Sequence, residues 1–318
     1  MTGASWLQPA REQLLASVQR DRVPHALLIQ DAPGAGGAQL GLWLAQLLLC
    51  AAPVSQGPCG ICAACRSVAE DRHPDFTRLA LIEESKQIRV EQARDLSAHL
   101  ALASHQGGYK VALIDPADAL NWNAANALLK TLEEPPARTV LILVAQQPSR
   151  LPATILSRCQ RVRSRAPERS PALEWLTRAV GAGPWDAVLA VVGNAPLLAA
   201  DLDPRTVLQI RDETAAGLAD LAARRADAAQ LADTWSRTEL ALRLTCFETW
   251  LTERIRRSLG AGTYSVEMRD GTHPVRPDPG SNVPRLFDLL DQLRALRAAL
   301  ATPVNRSLAL ESLLRSVV

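Results

Sequence analysis

The sequence lacks an excess of either charge and lacks a long apolar segment. Its 318 residues include 35 Lys and Arg against 33 Asp and Glu, a formal net charge of +2, so composition gives no argument for a dedicated nucleic-acid or membrane surface. The N-terminus has neither a basic start nor an apolar run of signal-peptide length. The longest apolar run, residues 40–54, contains Gln46 and Pro53 and is too short to span a bilayer. We expect a soluble, cytoplasmic protein without a membrane partner.

The chain has six cysteines in 318 residues, a content far below that of small secreted domains held by disulfides. Four of them have the spacing C-x8-C-x2-C-x2-C, and glycines and a proline supply tight turns between them. Four thiolates can complete a closed tetrahedral zinc site, which would be structural and not catalytic. An iron–sulfur cluster and plain reduced thiols remain alternatives. The four candidate ligands are Cys50, Cys59, Cys62 and Cys65.

A glycine-rich turn at residues 31–38 (DAPGAGGA) lies between an apolar strand pattern and an apolar helical pattern. In a phosphate-binding loop of pattern G-x-x-x-x-G-K-[ST], backbone N–H groups and the helix N-terminus hold the phosphates, Lys reaches the terminal ones, and the hydroxyl binds Mg²⁺. This 31–38 loop keeps the outline and loses the binding groups, so we expect it not to bind ATP. Asp31 replaces the first Gly of the pattern, Gly37 replaces the Lys and Ala38 replaces the hydroxyl residue. The loop also contains Gly34 and Gly36.

Strand and helix patterns alternate through the first half of the chain, which predicts a parallel α/β sheet. The first predicted helix begins near Leu7, and three more cover about 40–49, 88–102 and 121–134. The predicted strands cover 26–30, 76–82, 109–115 and 139–144. The third strand ends on Asp115, the position of a carboxylate that would hold a Mg²⁺ shell. Pro116 follows it where an active ATPase usually carries a Glu. A turn-capping role for Asp115 is the simpler alternative.

The second half of the chain carries helical patterns only. Short ones separated by glycines occupy 171–200, and longer Ala-, Leu- and Arg-rich ones begin at about 206. A Gly- and Pro-rich stretch at 260–283 predicts an exposed loop, and Thr302-Pro303 predicts the start of the last helix. We therefore predict three domains, at 1–165, 166–205 and 206–318.

Residues 126–136 (NALLKTLEEPP) and the Ser157-Arg158-Cys159 triplet carry a family resemblance. Together with the ordered strands around them and the 304–306 segment (VNR), they resemble the clamp-loader branch of the AAA+ ATPases. This resemblance implies a RecA-like AAA+ domain with an inserted zinc module, then a small helical lid domain and an all-α collar domain. Gln146, at a sensor position, and Pro196, where an active lid carries Arg, depart from the pattern of active members.

The resemblance implies a subunit that occupies an ATPase position in a heteropentameric ring without hydrolysing ATP. That ring, with its ATPase subunits, would load the sliding clamp onto primed DNA. Arg158 would project as an arginine finger into a neighbour's ATP site, where its planar fork contacts two phosphate oxygens. A surface Arg paired with a nearby carboxylate is the alternative for Arg158. For the chain, the alternatives are an active ATPase with an unusual loop and an independent zinc-dependent nucleic-acid-binding protein.

Overall fold

A computed structural model describes residues 4–82, 85–105, 107–259, 283–300 and 304–317. The chain divides into two compact units, one comprising residues 1–182 with 194–200 and the other 183–193 with 201–318. The three domain boundaries drawn from the sequence stay predictions.

A five-stranded sheet lies at the centre of the first unit, and its strand order is β2-β3-β4-β1-β5. Every pairing in it is parallel, as the alternation of strand and helix patterns predicts. The strands are β1 (Ala26–Asp31), β2 (Phe76–Leu79), β3 (Lys110–Ile114), β4 (Thr139–Ala145) and β5 (Gln160–Ser164).

The described residues form fourteen α-helices. They are α1 (Gln8–Gln19), α2 (Gly37–Leu49), α3 (Ala63–Ala69), α4 (Val90–Ala101), α5 (Trp122–Glu133), α6 (Ala153–Leu156), α7 (Arg169–Ala179), α8 (Trp185–Val192), α9 (Pro196–Ala200), α10 (Pro204–Ala222), α11 (Ala228–Arg237), α12 (Leu240–Ser258), α13 (Val283–Ala299) and α14 (Arg306–Arg315). None of the helices within the described ranges combines the length and the apolar character that crossing a bilayer requires.

Two apolar layers cover the two faces of the sheet. Leu28 and Leu143 point to the layer that contains α4 and α5, whereas Ile29 and Ile142 point to the layer that contains α1 and α2. Because side chains alternate along a strand, a strand covered on both faces reads as a continuous apolar run. This explains why β3 and β4 are buried along their whole length.

The second unit is helical throughout its described residues, and its core contains Trp235, Phe247 and Leu293. The predicted start of the last helix at Thr302-Pro303 lies outside the described residues. Helix α14 begins at Arg306, because the Asn305 side chain caps it by accepting the backbone N–H of Leu308 at 3.1 Å. The exposed loop predicted at 260–283 falls, up to residue 282, outside the described residues.

Candidate functional site

The 31–38 loop joins the end of β1 to the start of α2. Gly34 and Gly36 have positive φ angles of 67° and 98°, which a residue with a Cβ adopts only with strain. The Asp31 carboxylate reaches across the loop, and its Oδ1 accepts the backbone N–H of Gly37 at 2.8 Å. The first turn of α2, where a working loop would present N–H groups to phosphate, therefore already binds a carboxylate of its own chain.

Asp31 and Gly37 fit each other closely. A Cβ added at Gly37 would lie 2.6 Å from both Cβ and Cγ of Asp31. Any side chain at position 37, the Lys of a working loop included, would need the space that Asp31 fills. The two departures from the phosphate-binding pattern are thus sterically linked.

Protein groups also cover the loop from outside. The Trp6 indole N–H donates to the carbonyl of Ala35 at 2.7 Å, and the backbone N–H of Leu197 donates to the carbonyl of Gly34 at 3.3 Å. A Cβ on Gly34 would lie 2.6 Å from the Cβ of Ala195. The start of α9 and the Trp6 side chain therefore pack directly against the loop, and Ala35 is fully buried.

Two carboxyl groups lie in this region, that of Asp31 at the end of β1 and that of Asp115 directly after β3. Burial of the Asp31 carboxyl raises its pKa to about 6, against the opposing effect of the Gly37 N–H and with a further rise from the charge of Asp115. Burial likewise raises the pKa of Asp115, which the nearby Arg78 counteracts. The region is a poor environment for additional negative charge such as a triphosphate.

Arg158 lies just after the short helix α6, next to the C-terminal end of α5. Its Nη2 is 2.6 Å from Oε1 of Glu133, and its Nη1 donates to the Thr154 carbonyl at 2.9 Å and to the Ser157 hydroxyl at 3.3 Å. The Arg158 side chain is 34% exposed and that of Glu133 is 49% exposed. The sequence alone predicts a nearby carboxylate as one possible partner of Arg158, and in the structure that carboxylate belongs to Glu133.

The four clustered cysteines converge at the C-terminal end of α2 and the N-terminal end of α3. Cys50 follows the last residue of α2, and Cys62 is the N-cap of α3. The sulfur of Cys50 is 3.6 Å from that of Cys59 and 4.0 Å from that of Cys62, and all four ligand atoms lie within 4.8 Å of one another. Four sulfurs at the 2.3 Å Zn–S distance in a tetrahedron would be about 3.8 Å apart. The spacing fits a four-thiolate metal site.

Backbone N–H groups around the cluster favour thiolate. The N–H groups of Cys59, Cys62 and Cys65 each donate to the sulfur of the preceding cysteine of the cluster at 3.4 Å. The hydrogen bond from the Cys65 N–H lowers the pKa of the Cys62 thiol to about 6, whereas burial raises the pKa of Cys65. Thiolate is the form that binds a metal.

The two remaining cysteines lie apart from the cluster. Cys159 and Cys246 are buried, and burial raises the pKa of each thiol to about 11. They are therefore apolar core residues and not ligands, which agrees with the sequence interpretation.

Known proteins resemble this chain over most of its length. A family model described as "DNA polymerase III, delta subunit" matches residues 7–168. The DNA polymerase III subunit delta' of Pseudomonas aeruginosa is 37% identical over 316 residues, which is 97% of this chain and 95% of that protein. The subunit delta' of Yersinia pestis is 32% identical over 98% of this chain and 94% of that protein. The DNA polymerase III subunit tau of Salmonella typhimurium is 40% identical over 43% of this chain and 21% of that protein.

Proposed function

The chain belongs to the family of DNA polymerase III delta' subunits, and we propose that it is the non-hydrolysing stator subunit of a replicative clamp loader. It takes an ATPase position in a heteropentamer with ATPase subunits and a delta subunit. The assembly loads the sliding clamp onto primed DNA. In this role the chain supplies Arg158 in trans to the ATP site of a neighbouring subunit, and binds no ATP of its own.

The observation that carries this proposal is the state of the 31–38 loop. The Asp31 carboxylate binds the Gly37 N–H at the start of α2, and Ala195 leaves no space above Gly34. To bind here, a triphosphate would have to displace the Asp31 carboxylate and move α9. It would also lack the Lys and the hydroxyl group that bind it in a working loop. Hydrogen bonds to charged groups contribute roughly 1.5–3 kcal/mol each, so the lost groups alone weaken binding by orders of magnitude.

The experiment for the loop is a titration of the isolated chain with a fluorescent ATP analogue and Mg²⁺, with phosphate release followed in the same samples. We expect neither binding at millimolar nucleotide nor release. The variant Asp31→Gly/Gly37→Lys/Ala38→Thr restores the loop pattern and tests whether the assay detects a gain of binding. Turnover by the unmodified chain would favour the alternative of an active ATPase with an atypical loop.

The arginine finger is tested in the assembled loader. The Arg158→Ala variant should assemble normally and lower hydrolysis at the neighbouring site by about a thousandfold, which is the lower range for removal of an arginine finger. Arg161→Ala removes an exposed guanidinium from β5 and is the matched control. Equal hydrolysis by the two variants would refute the finger role.

We propose that the four clustered cysteines hold a structural zinc ion, which would join α2 to α3 and leave no open coordination position. A purified protein that is colourless and contains about one zinc ion per chain would support this proposal. A brown protein that contains iron would contradict it. Cys62→Ser should lower the metal content and the thermal midpoint, whereas Cys246→Ser should leave the metal content unchanged. None of the six cysteines forms a disulfide, which supports our proposal that the assembly is cytoplasmic.

A further inference from the structure

Glu133 lies where a carboxylate is poorly placed for helix stability. It is the last residue of α5, and the negative end of a helix dipole disfavours an anion there. Its neighbour Glu134 is also exposed, yet in the described part of the chain only Glu133 forms an ion pair with Arg158. Among the described residues, the charged partner of this carboxylate at the end of α5 is therefore the arginine of the SRC triplet.

The Arg158 guanidinium is folded back onto its own chain. Nη2 contacts Glu133, while Nη1 donates to the Thr154 carbonyl, a backbone group of α6. An arginine that reaches a neighbouring subunit has to leave these partners. Since both charged side chains are partly exposed, water screens the pair, and it is weak enough to exchange for another anion.

We propose that Glu133 is a positioning residue that holds the Arg158 guanidinium against α6 until a phosphate of nucleotide on the neighbouring subunit replaces its carboxylate. This inference rests on the proposed finger role of Arg158. Both partners are oxyanions that can accept from the guanidinium, and a phosphate offers more charge and more oxygens to the planar fork. Glu133 therefore competes with nucleotide for the Arg158 guanidinium, and it no longer contacts that group once the phosphate is bound.

The Glu133→Gln variant tests the competition, because glutamine keeps the size of the side chain and removes its charge. The assay measures ATP hydrolysis by the assembled loader, with the sister ATP sites that do not face Arg158 inactivated. KM for ATP should fall about two- to fivefold, the fold-change that corresponds to the free energy of an exposed ion pair. The value of kcat should stay the same, since the carboxylate is displaced in the bound state and in the transition state alike.

Three further variants separate this role from a structural one. Glu134→Gln removes the adjacent exposed carboxylate and should leave KM unchanged. Glu133→Asp keeps the charge, so its KM should be closer to that of the unmodified loader than to that of Glu133→Gln. In the Arg158→Ala background, Glu133→Gln should have no further effect, because the group that it competes for is gone.

The outcomes also separate this inference from the proposed function. If Arg158→Ala leaves hydrolysis unchanged, the finger role fails and the inference fails with it. If Arg158→Ala lowers hydrolysis but Glu133→Gln behaves like Glu134→Gln, only the role of Glu133 is overturned. The same holds if Glu133→Gln lowers kcat, or if its effect persists without Arg158.

Discussion

The 31–38 loop and Arg158 are the two places at which this chain would meet nucleotide, and they differ in how their polar groups are satisfied. Residues 35–37 of the loop are buried, and the N–H group at Gly37 and the carbonyls at Gly34 and Ala35 bind groups of the same chain. Arg158 is one-third exposed and contacts one carboxylate through a single nitrogen.

The difference follows from how far water reaches the polar groups of each region. A buried N–H group cannot be left unpaired, because each unsatisfied group costs about 1–3 kcal/mol. At Gly37 the Asp31 carboxylate supplies the acceptor. An exposed arginine has no such requirement, because water satisfies its donors and any anion in reach can take them.

The largest effect that sharpens this comparison is expected from Gly34→Ala. The new Cβ would lie 2.6 Å from the Cβ of Ala195, and φ at Gly34 is +67°. Overpacking and the strained backbone together should reduce the free energy of unfolding by roughly 2–4 kcal/mol. Urea denaturation of the isolated chain measures this.

Gly108→Ala is the matched control for that substitution, because no atom lies within 4 Å of its added Cβ. It should be nearly neutral. If Gly34→Ala were equally neutral, the loop would be open above Gly34, and the contrast with Arg158 would disappear.

A smaller effect is expected from Arg158→Lys in the assembled loader. Lysine keeps the charge and can still reach Glu133, but it cannot contact two phosphate oxygens with a planar fork. The loss of one charged hydrogen bond should lower hydrolysis at the neighbouring site about ten- to hundredfold. Hydrolysis equal to that of the unmodified loader would mean that Arg158 acts only as a point charge.

The central strands and the cysteine cluster could be predicted because their signals are local. Runs such as 140–144 are apolar at every position since both faces of the sheet are covered. The spacing of the cysteines predicts that their sulfurs lie close together, because the four residues are near one another in the sequence. The structure accordingly brings the four sulfurs together.

The missed features depend on contacts between distant parts of the chain. β5 alternates Arg161 and Arg163 with buried residues, because as an edge strand it has one exposed face, and its sequence does not resemble the central strands. The Glu133–Arg158 pair spans two helices. The bond from Gly37 to Asp31 can be read from neither residue alone, although their joint departure from the loop pattern was a signal that the two positions are linked.

The smallest expected effect is a pH dependence that comes from Asp31. Its pKa of about 6 in the folded chain lies above the ordinary value of 3.8, so between these two values the folded state binds more protons than the unfolded state does. Stability therefore falls as the pH rises through this window. Discounted for the part of the carboxyl that solvent still screens, the loss is about 1 kcal/mol.

Asp31→Asn keeps an oxygen that can accept the Gly37 N–H, and it removes the titrating group. Denaturation midpoints at pH 5.0 and 7.5 should therefore differ less in this variant than in the unmodified chain. Asp95→Asn removes an exposed carboxylate from α4 and controls for the loss of one negative charge. If Asp31→Asn instead left the pH dependence intact, the Asp31 carboxylate would be solvated in the folded chain, and the loop would be as open to exchange as Arg158 is.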